Sequence, residues 1–189
     1  MAKIGLTNIW YGILTEGVDG TPTYDGAHKF GKAVSCSVEV SNNDAKLYAD
    51  DTLAESDTSF NNGTMTLGVD EDSDTVFAEV LGHTVDSNGA VVKTATDTAP
   101  YIGVGRVITK MVNGLYKYKA EFIYKTKFAE PSQEDNTKGE SVEFSTSEIE
   151  GVIASLSDEK GTWCTDKTFD TKAVAVAFIK DILGDNTSL

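Results

Sequence analysis

Along most of the chain apolar and polar residues alternate with a period of two, interrupted by clusters of Gly, Asn, Asp and Ser, which is the pattern of half-buried strands. In AVSCSVEVS, Val34, Cys36, Val38 and Val40 are expected on one face and Ser35, Ser37 and Glu39 on the other. The same rhythm runs through Met65 and Leu67, after an Asn-Asn-Gly stretch read as a turn, and then through the longest apolar block, YIGVGRVITKMVNGLYKYKAEFIYKTKF. Asn113-Gly114 divides that block. Both positions tolerate the positive φ of a type I′ turn, so residues 101–112 and 115–128 are expected to pair as a long antiparallel hairpin. Residues 126–140, with Pro131 and Gly139, read as a polar surface loop, and SVEFSTSEIEGVIA as a later strand carrying Val142, Phe144 and Ile149.

Two segments depart from this rhythm. Asp72, Ser73 and Asp74 precede Val76, Phe77, Val80 and Leu81, and Gly82 follows, which predicts a short capped amphipathic helix. In FDTKAVAVAFIKDILG, Val174, Val176 and Phe178 alternate as in a strand, but Ala175, Phe178, Ile179 and Ile182 form a helical stripe that ends at Gly184, and helix is the preferred reading. No internal repeat is visible. The predicted class is β-rich α+β: a two-sheet β-sandwich or partly closed barrel with one or two flanking helices.

Composition narrows the partners. A chain of 189 residues with 40% hydrophobic content can bury a core of its own, and residues 1–184 read as a single domain with a short tail, 185–189. Asp and Glu number 30 against 16 Lys and Arg, a formal charge of −14, so the surface lacks the cationic patch that phosphate binding needs. Cys36 and Cys164 stand far apart without ligand spacing and are expected to be small buried hydrophobes. The N-terminal stretch has no signal-peptide apolar run, and nothing approaches a membrane span of about 20 apolar residues. Folding in a cytoplasm, without membrane insertion, is the expectation.

Catalytic and metal patterns fail on inspection. His28 and His83 lie in unrelated contexts and no HExxH occurs. Asp70, Asp72 and Asp74 open like a calcium loop, but Thr75 and Leu81 stand where a turn Gly and a closing Glu belong. Gly103-Val104-Gly105 runs on into a strand, not into a phosphate-binding helix. No nucleophile elbow or P-loop appears. The residues therefore assign no catalytic group, cofactor or metal ligand, and the expectation is that this is not an enzyme. One feature stays open: in KLYADDTLAESDTSFNNGT, residues 46–64, Asp50, Asp51, Glu55 and Asp57 crowd between two short strand-like runs.

The stretch from Tyr101 to Gly151, and above all KFAEPSQEDNTKGESVEFSTSEIEG, resembles the major tail protein family of long-tailed bacteriophages, the subunits of the tail tube. LYADD, GTMTLGVDE and FDTKAVAVAFIKDILG extend the likeness over roughly residues 1–184. The resemblance implies packed β-sheets flanked by a helix, hexameric rings stacked into a tube in the virion tail, and assembly in the bacterial host cytoplasm. Its implied partners are further copies of the chain, the tape-measure protein enclosed in the tube, the tail terminator and distal tail proteins, and DNA that passes through the lumen without specific binding. A lumen sharing the subunit's negative sign would let DNA slide. The family's motifs are structural, so no catalytic residue carries over. Residues 46–64 then read as an extended assembly loop anchored by Leu47, Tyr48, Leu53 and Phe60, with Asp50, Asp51, Glu55 and Asp57 as its rim. Lys125, Lys127 and Lys138 are candidates to offset charge at ring contacts. The alternative reading is a secreted or surface-displayed acidic β-sandwich binding module stabilised by calcium.

Overall fold

A computed structural model describes residues 2–70, 73–132 and 147–185. The strands in chain order are β1 (Ala2–Glu16), β2 (Pro22–Tyr24), β3 (His28–Gly31), β4 (Ala33–Asn42), β5 (Ala45–Ala49), β6 (Thr52–Asp57) and β7 (Phe60–Val69). Helix α1 (Asp74–Leu81) follows, then β8 (Thr84–Val85), β9 (Val91–Val92), β10 (Ile102–Val112), β11 (Leu115–Phe128), β12 (Ser147–Ile153), β13 (Cys164–Phe169) and α2 (Lys172–Ile182). Among the described residues nine strands form one large antiparallel sheet, and β5 with β6 and β8 with β9 make two small ones.

The expected hairpin organises the sheet. β10 and β11 pair along their length, and the turn between them places Asn113 and Gly114 at φ 51° and 78°, as a type I′ turn requires. β1 lies along the other side of β10, with β2 and β3 on its outer edge. At β11 the sheet branches: Tyr118–Ile123 pair with β13, whereas Thr126–Phe128 pair with β12, which leads on to β7 and β4. In place of two separate sheets there is one branched sheet whose leaves face each other across the main core. Ile9 and Tyr11 of β1, Ile102 and Val104 of β10 and Ile123 of β11 meet Met65 and Leu67 of β7, Ile149 and Ile153 of β12, and Phe77 and Leu81 of α1 there. β4 returns beside β1 without pairing to it, so the described residues form no closed barrel.

Both helices form as their caps and stripes predict. Ser73 is the N-cap of α1, although its side chain makes no capping bond, and Gly82 closes the helix at φ 77°, with the N–H groups of Gly82 and His83 returning to Glu79 and Ala78. In α2 the Thr171 side chain accepts from the Val174 N–H, Ala175, Ile179 and Leu183 are buried, and Gly184 takes φ 80°. This helix packs on the outer face of β10 and β11, over Val107, Ala120 and Phe122. Gly103 and Gly105 make that approach possible: a Cβ on Gly105 would overlap Ile179, and one on Gly103 would overlap the Tyr24 ring. Their role is to admit neighbouring side chains.

Several expectations need correction. The Asn-Asn-Gly stretch is no turn; Asn61, Asn62 and Gly63 lie inside β7, where a Cβ on Gly63 would come within 2.9 Å of the Glu39 carbonyl. Along β4 the register slips between Ala33 and Ser35, so Ala33, Cys36 and Val38 pack on the core while Val34 and Val40 stay exposed. The polar loop begins later than expected, because Thr126 and Phe128 are buried members of β11. Its remainder from residue 133, with Lys138, lies outside the described residues, as do Val142 and Phe144 of the expected later strand and Asp72 ahead of α1.

Candidate assembly surface

Residues 46–64 are not one extended loop. β5 and β6 form a two-stranded hairpin standing apart from the large sheet, while residues 60–64 already belong to β7. Its turn is Asp50-Asp51, with φ 49° and 60°; Asp is among the few residues that enter this left-handed region at modest cost, so no glycine is needed. Thr52 Oγ1 donates to the Ala49 carbonyl (2.9 Å) and steadies the turn. At the other end the Asn43 and Ser59 backbones hydrogen-bond (2.8 Å), Asn43 Nδ2 donates to Ser59 Oγ (2.9 Å), and Asp57 Oδ1 accepts from the Ser59 N–H (2.9 Å). Those backbone and side-chain bonds to Ser59 hold the Asp57 carboxyl below its ordinary range.

Every residue of this arm is exposed. Tyr48 and Leu53 sit opposite each other across the strands, 63% and 53% exposed, and Leu47, 60% exposed, faces the other side opposite Glu55. Asp50, Asp51, Glu55 and Asp57 thus edge a projection that also carries three large apolar side chains. Phe60 anchors its root: half-buried, it stacks on Trp163 with ring centroids 4.6 Å apart and planes 3° from parallel.

The lysines divide. Lys125 is committed within the subunit, paired with Glu16 Oε2 (2.6 Å) and lying over the Tyr101 ring. Lys127 lies 5.4 Å from the centroid of that ring and has no ion-pair partner among the described residues. The sequence reading missed a basic row elsewhere. Lys3, Lys110 and Lys117 are cross-strand neighbours on β1, β10 and β11, and only Lys117 has a carboxylate partner among the described residues, Asp170. Like charges side by side on a sheet destabilise it unless something answers them. On the same face, Leu115, two residues from Lys117, is exposed, while Met111 and Tyr116 are exposed on the opposite face. Positions 3, 110 and 117 become neighbours only through strand register, which no local motif signals.

Two polar clusters bear on chemistry. His83 bridges two carboxylates, with Nδ1 2.7 Å from Asp97 and Nε2 2.9 Å from Glu130; Lys93 also pairs with Glu130. They line a cleft of about 450 Å³ together with Leu81 and Phe128. The Asp97 hydrogen bond, with Glu130, outweighs desolvation and raises the His83 pKa. With both ring nitrogens engaged, His83 offers no free lone pair and acts as a clasp between the α1–β10 connection and the end of β11. Between the leaves, Arg106 is 8% exposed and joins Glu121 on β11, the Cys36 carbonyl (3.3 Å) and Cys36 Sγ (2.7 Å) on β4; Lys119 links Glu121 to Asp166. Cys36 and Cys164 are free, partly buried thiols, and burial pushes Cys164 up to about 12. Asp70 receives both the backbone N–H and the ammonium of Lys32 (each 3.2 Å), so its carboxylate is already engaged.

Comparison with protein-family models and with curated protein sequences gives no match.

Proposed function

We propose that the chain is the structural subunit of a phage tail tube, assembling into stacked hexameric rings around a tape-measure protein and forming the conduit for DNA ejection. The observation that carries this reading is the β5–β6 arm. A two-stranded hairpin in water is marginal by itself, and one bearing three exposed large apolar side chains gains its stability from a second surface. The chain also offers such a surface on different elements: the Lys3, Lys110, Lys117 row, with exposed Leu115 on the same face, is complementary to an arm edged by four carboxylates. Two complementary but unlike surfaces on one chain give heterologous contacts, which propagate into rings and tubes. The β-rich architecture with an outer helix supports the reading at the level of fold class, with one branched sheet in place of the two packed sheets that the resemblance implies, and partial closure of the leaves suits a subunit completed by its neighbours. The overall negative charge suits a conduit that DNA traverses without sticking.

The test is electron microscopy and analytical ultracentrifugation of the purified full-length chain beside an arm-shortened variant. Ala45 and Asp57 are cross-strand partners, so replacing residues 46–56 with Asn-Gly closes the root directly. The expected result is six-fold rings or tubes from the full chain, and folded monomers with an unchanged melting temperature from the variant. A full chain that stays monomeric at every concentration, or a shortened variant that builds normal tubes, overturns the reading.

A further inference from the structure

Where α1 packs against β3, three potential metal ligands converge from separate parts of the chain. Asp25 comes from the β2–β3 connection, His28 from the first position of β3 and Glu79 from α1, and one ligand atom of each lies within 4.8 Å of the others. His28 Nε2 is 3.4 Å from Asp25 Oδ2. The imidazole is partly exposed, but Nε2 itself retains less than 1 Å² of accessible surface and has no hydrogen-bond partner among the described residues. A buried ring nitrogen left unbonded is costly, and so are two carboxylates drawn together. One cation relieves both.

One pair of the cluster already has the spacing of two ligands on one ion, and the third lies within 4.8 Å of both. Two ligands bound at about 2.0–2.1 Å to a tetrahedral ion lie about 3.3–3.4 Å apart, which matches the His28–Asp25 separation. Each carboxylate is steered from behind: the Ile13 N–H donates to Asp25 Oδ1 (2.6 Å), leaving Oδ2 toward His28, and the Tyr11 hydroxyl donates to Glu79 Oε2 (2.6 Å). Metal ligands are held by outer hydrogen bonds of this kind. The Tyr11 ring also packs against His28, with centroids 5.5 Å apart, and limits how the imidazole can turn.

We infer that Asp25, His28 and Glu79 form a site for one first-row divalent cation of the zinc type, which clamps α1 to β3. An imidazole with two carboxylates suits zinc, cobalt or manganese better than calcium, a hard ion that takes oxygen ligands. Three protein ligands leave a further coordination position on the solvent side, where Asp25 is exposed. The clamp is independent of assembly and is tested on the monomer.

Chelator-stripped full-length protein is titrated with zinc chloride, cobalt chloride and, for comparison, calcium chloride, following metal content by equilibrium dialysis, the melting temperature, and the visible absorption of the cobalt form. The expected result is one equivalent per chain, a rise of about 5–10 °C at a hundredfold excess over Kd, and a visible band of tetrahedral cobalt. Glu79→Gln keeps an acceptor for Tyr11, and it and His28→Gln should each weaken binding by on the order of tenfold or more. His83→Gln should keep the full equivalent. No binding by the wild-type chain, stabilisation by calcium but not zinc, or unchanged affinity in both Glu79→Gln and His28→Gln overturns the assignment.

Discussion

At the scale of single residues the consequences are electrostatic. Arg106 and Glu121 lie between the leaves with side chains only 10% and 15% exposed, so removing one charge strands the other. Burial pushes the Glu121 carboxyl up, but the charge and hydrogen bonds of Arg106, aided by Lys119, carry it below its ordinary value. Glu121→Gln should lower unfolding stability by about 3–5 kcal/mol in urea denaturation, while Arg106→Met combined with Glu121→Leu should recover most of it. Lys119 loses Glu121 in both variants and has Asp166, 3.0 Å away in the wild type, as a remaining partner, so that loss is common to the two. His83 governs the alkaline side of the stability profile. Its folded pKa is raised, so its contribution is complete below the unfolded value of about 6.5 and is lost as pH rises through the folded one. Asp97, held at about 2 mainly by hydrogen bonds from Thr94, contributes above its unfolded value of about 4 and is lost toward pH 2. Melting temperatures followed from about pH 6 to 8, below the range in which the buried Cys36 and Cys164 thiols would add their own fall, should drop in the wild type and stay nearly level in His83→Gln; an identical fall in both would remove His83 as the cause.

Elements were legible where local chemistry and tertiary packing agree. Asn113-Gly114 marks the β10–β11 turn, Gly82 and Gly184 mark both helix ends, and Ala175 and Ile179 mark the face on which α2 is buried. The long strand β1 was missed because it carries two register shifts, one of them spanning Asn8 at φ 53°, and these break the alternation from Ile4 to Ile13. β13, with the sequence CTDKTF, has no apolar alternation to read and is recruited by the free edge of β11. The arm was found as an acidic segment, but its form was not, because an Asp-Asp pair serves as the turn. The lysine row and the Asp25, His28, Glu79 cluster depend on register and on packing between distant segments, so sequence spacing carries no trace of them beyond the i, i+3 placement of Asp25 and His28. Because Tyr48 and Leu53 touch no core, Tyr48→Ser with Leu53→Ser should move the monomer's melting temperature by no more than about 1–2 °C while raising the concentration needed for assembly severalfold, read by sedimentation. A large loss of monomer stability would mean that the arm belongs to the subunit's own fold.

For the whole molecule the governing quantity is charge. Each chain carries a formal charge of −14, so in the proposed assembly repulsion between copies would act over roughly 30 Å at 0.01 M salt but about 8 Å at 0.15 M. Self-association should therefore increase between those salt concentrations, since screening relieves repulsion over the entire surface while weakening only the few arm-to-lysine contacts. Light scattering that decreased over that range would mean the specific pairs dominate. The root of the arm gives the molecule a built-in optical reporter. Of the two tryptophans, Trp10 sits under the Lys180 ammonium at 4.6 Å, packed in the α2 cluster far along the chain from the arm, whereas Trp163 is stacked on Phe60 where arm and body join. Indole emission is sensitive to such stacking, so engagement of the arm should register as a change in intrinsic fluorescence that Trp163→Phe abolishes and Trp10→Phe preserves. Association could then be followed in real time on the unlabelled chain.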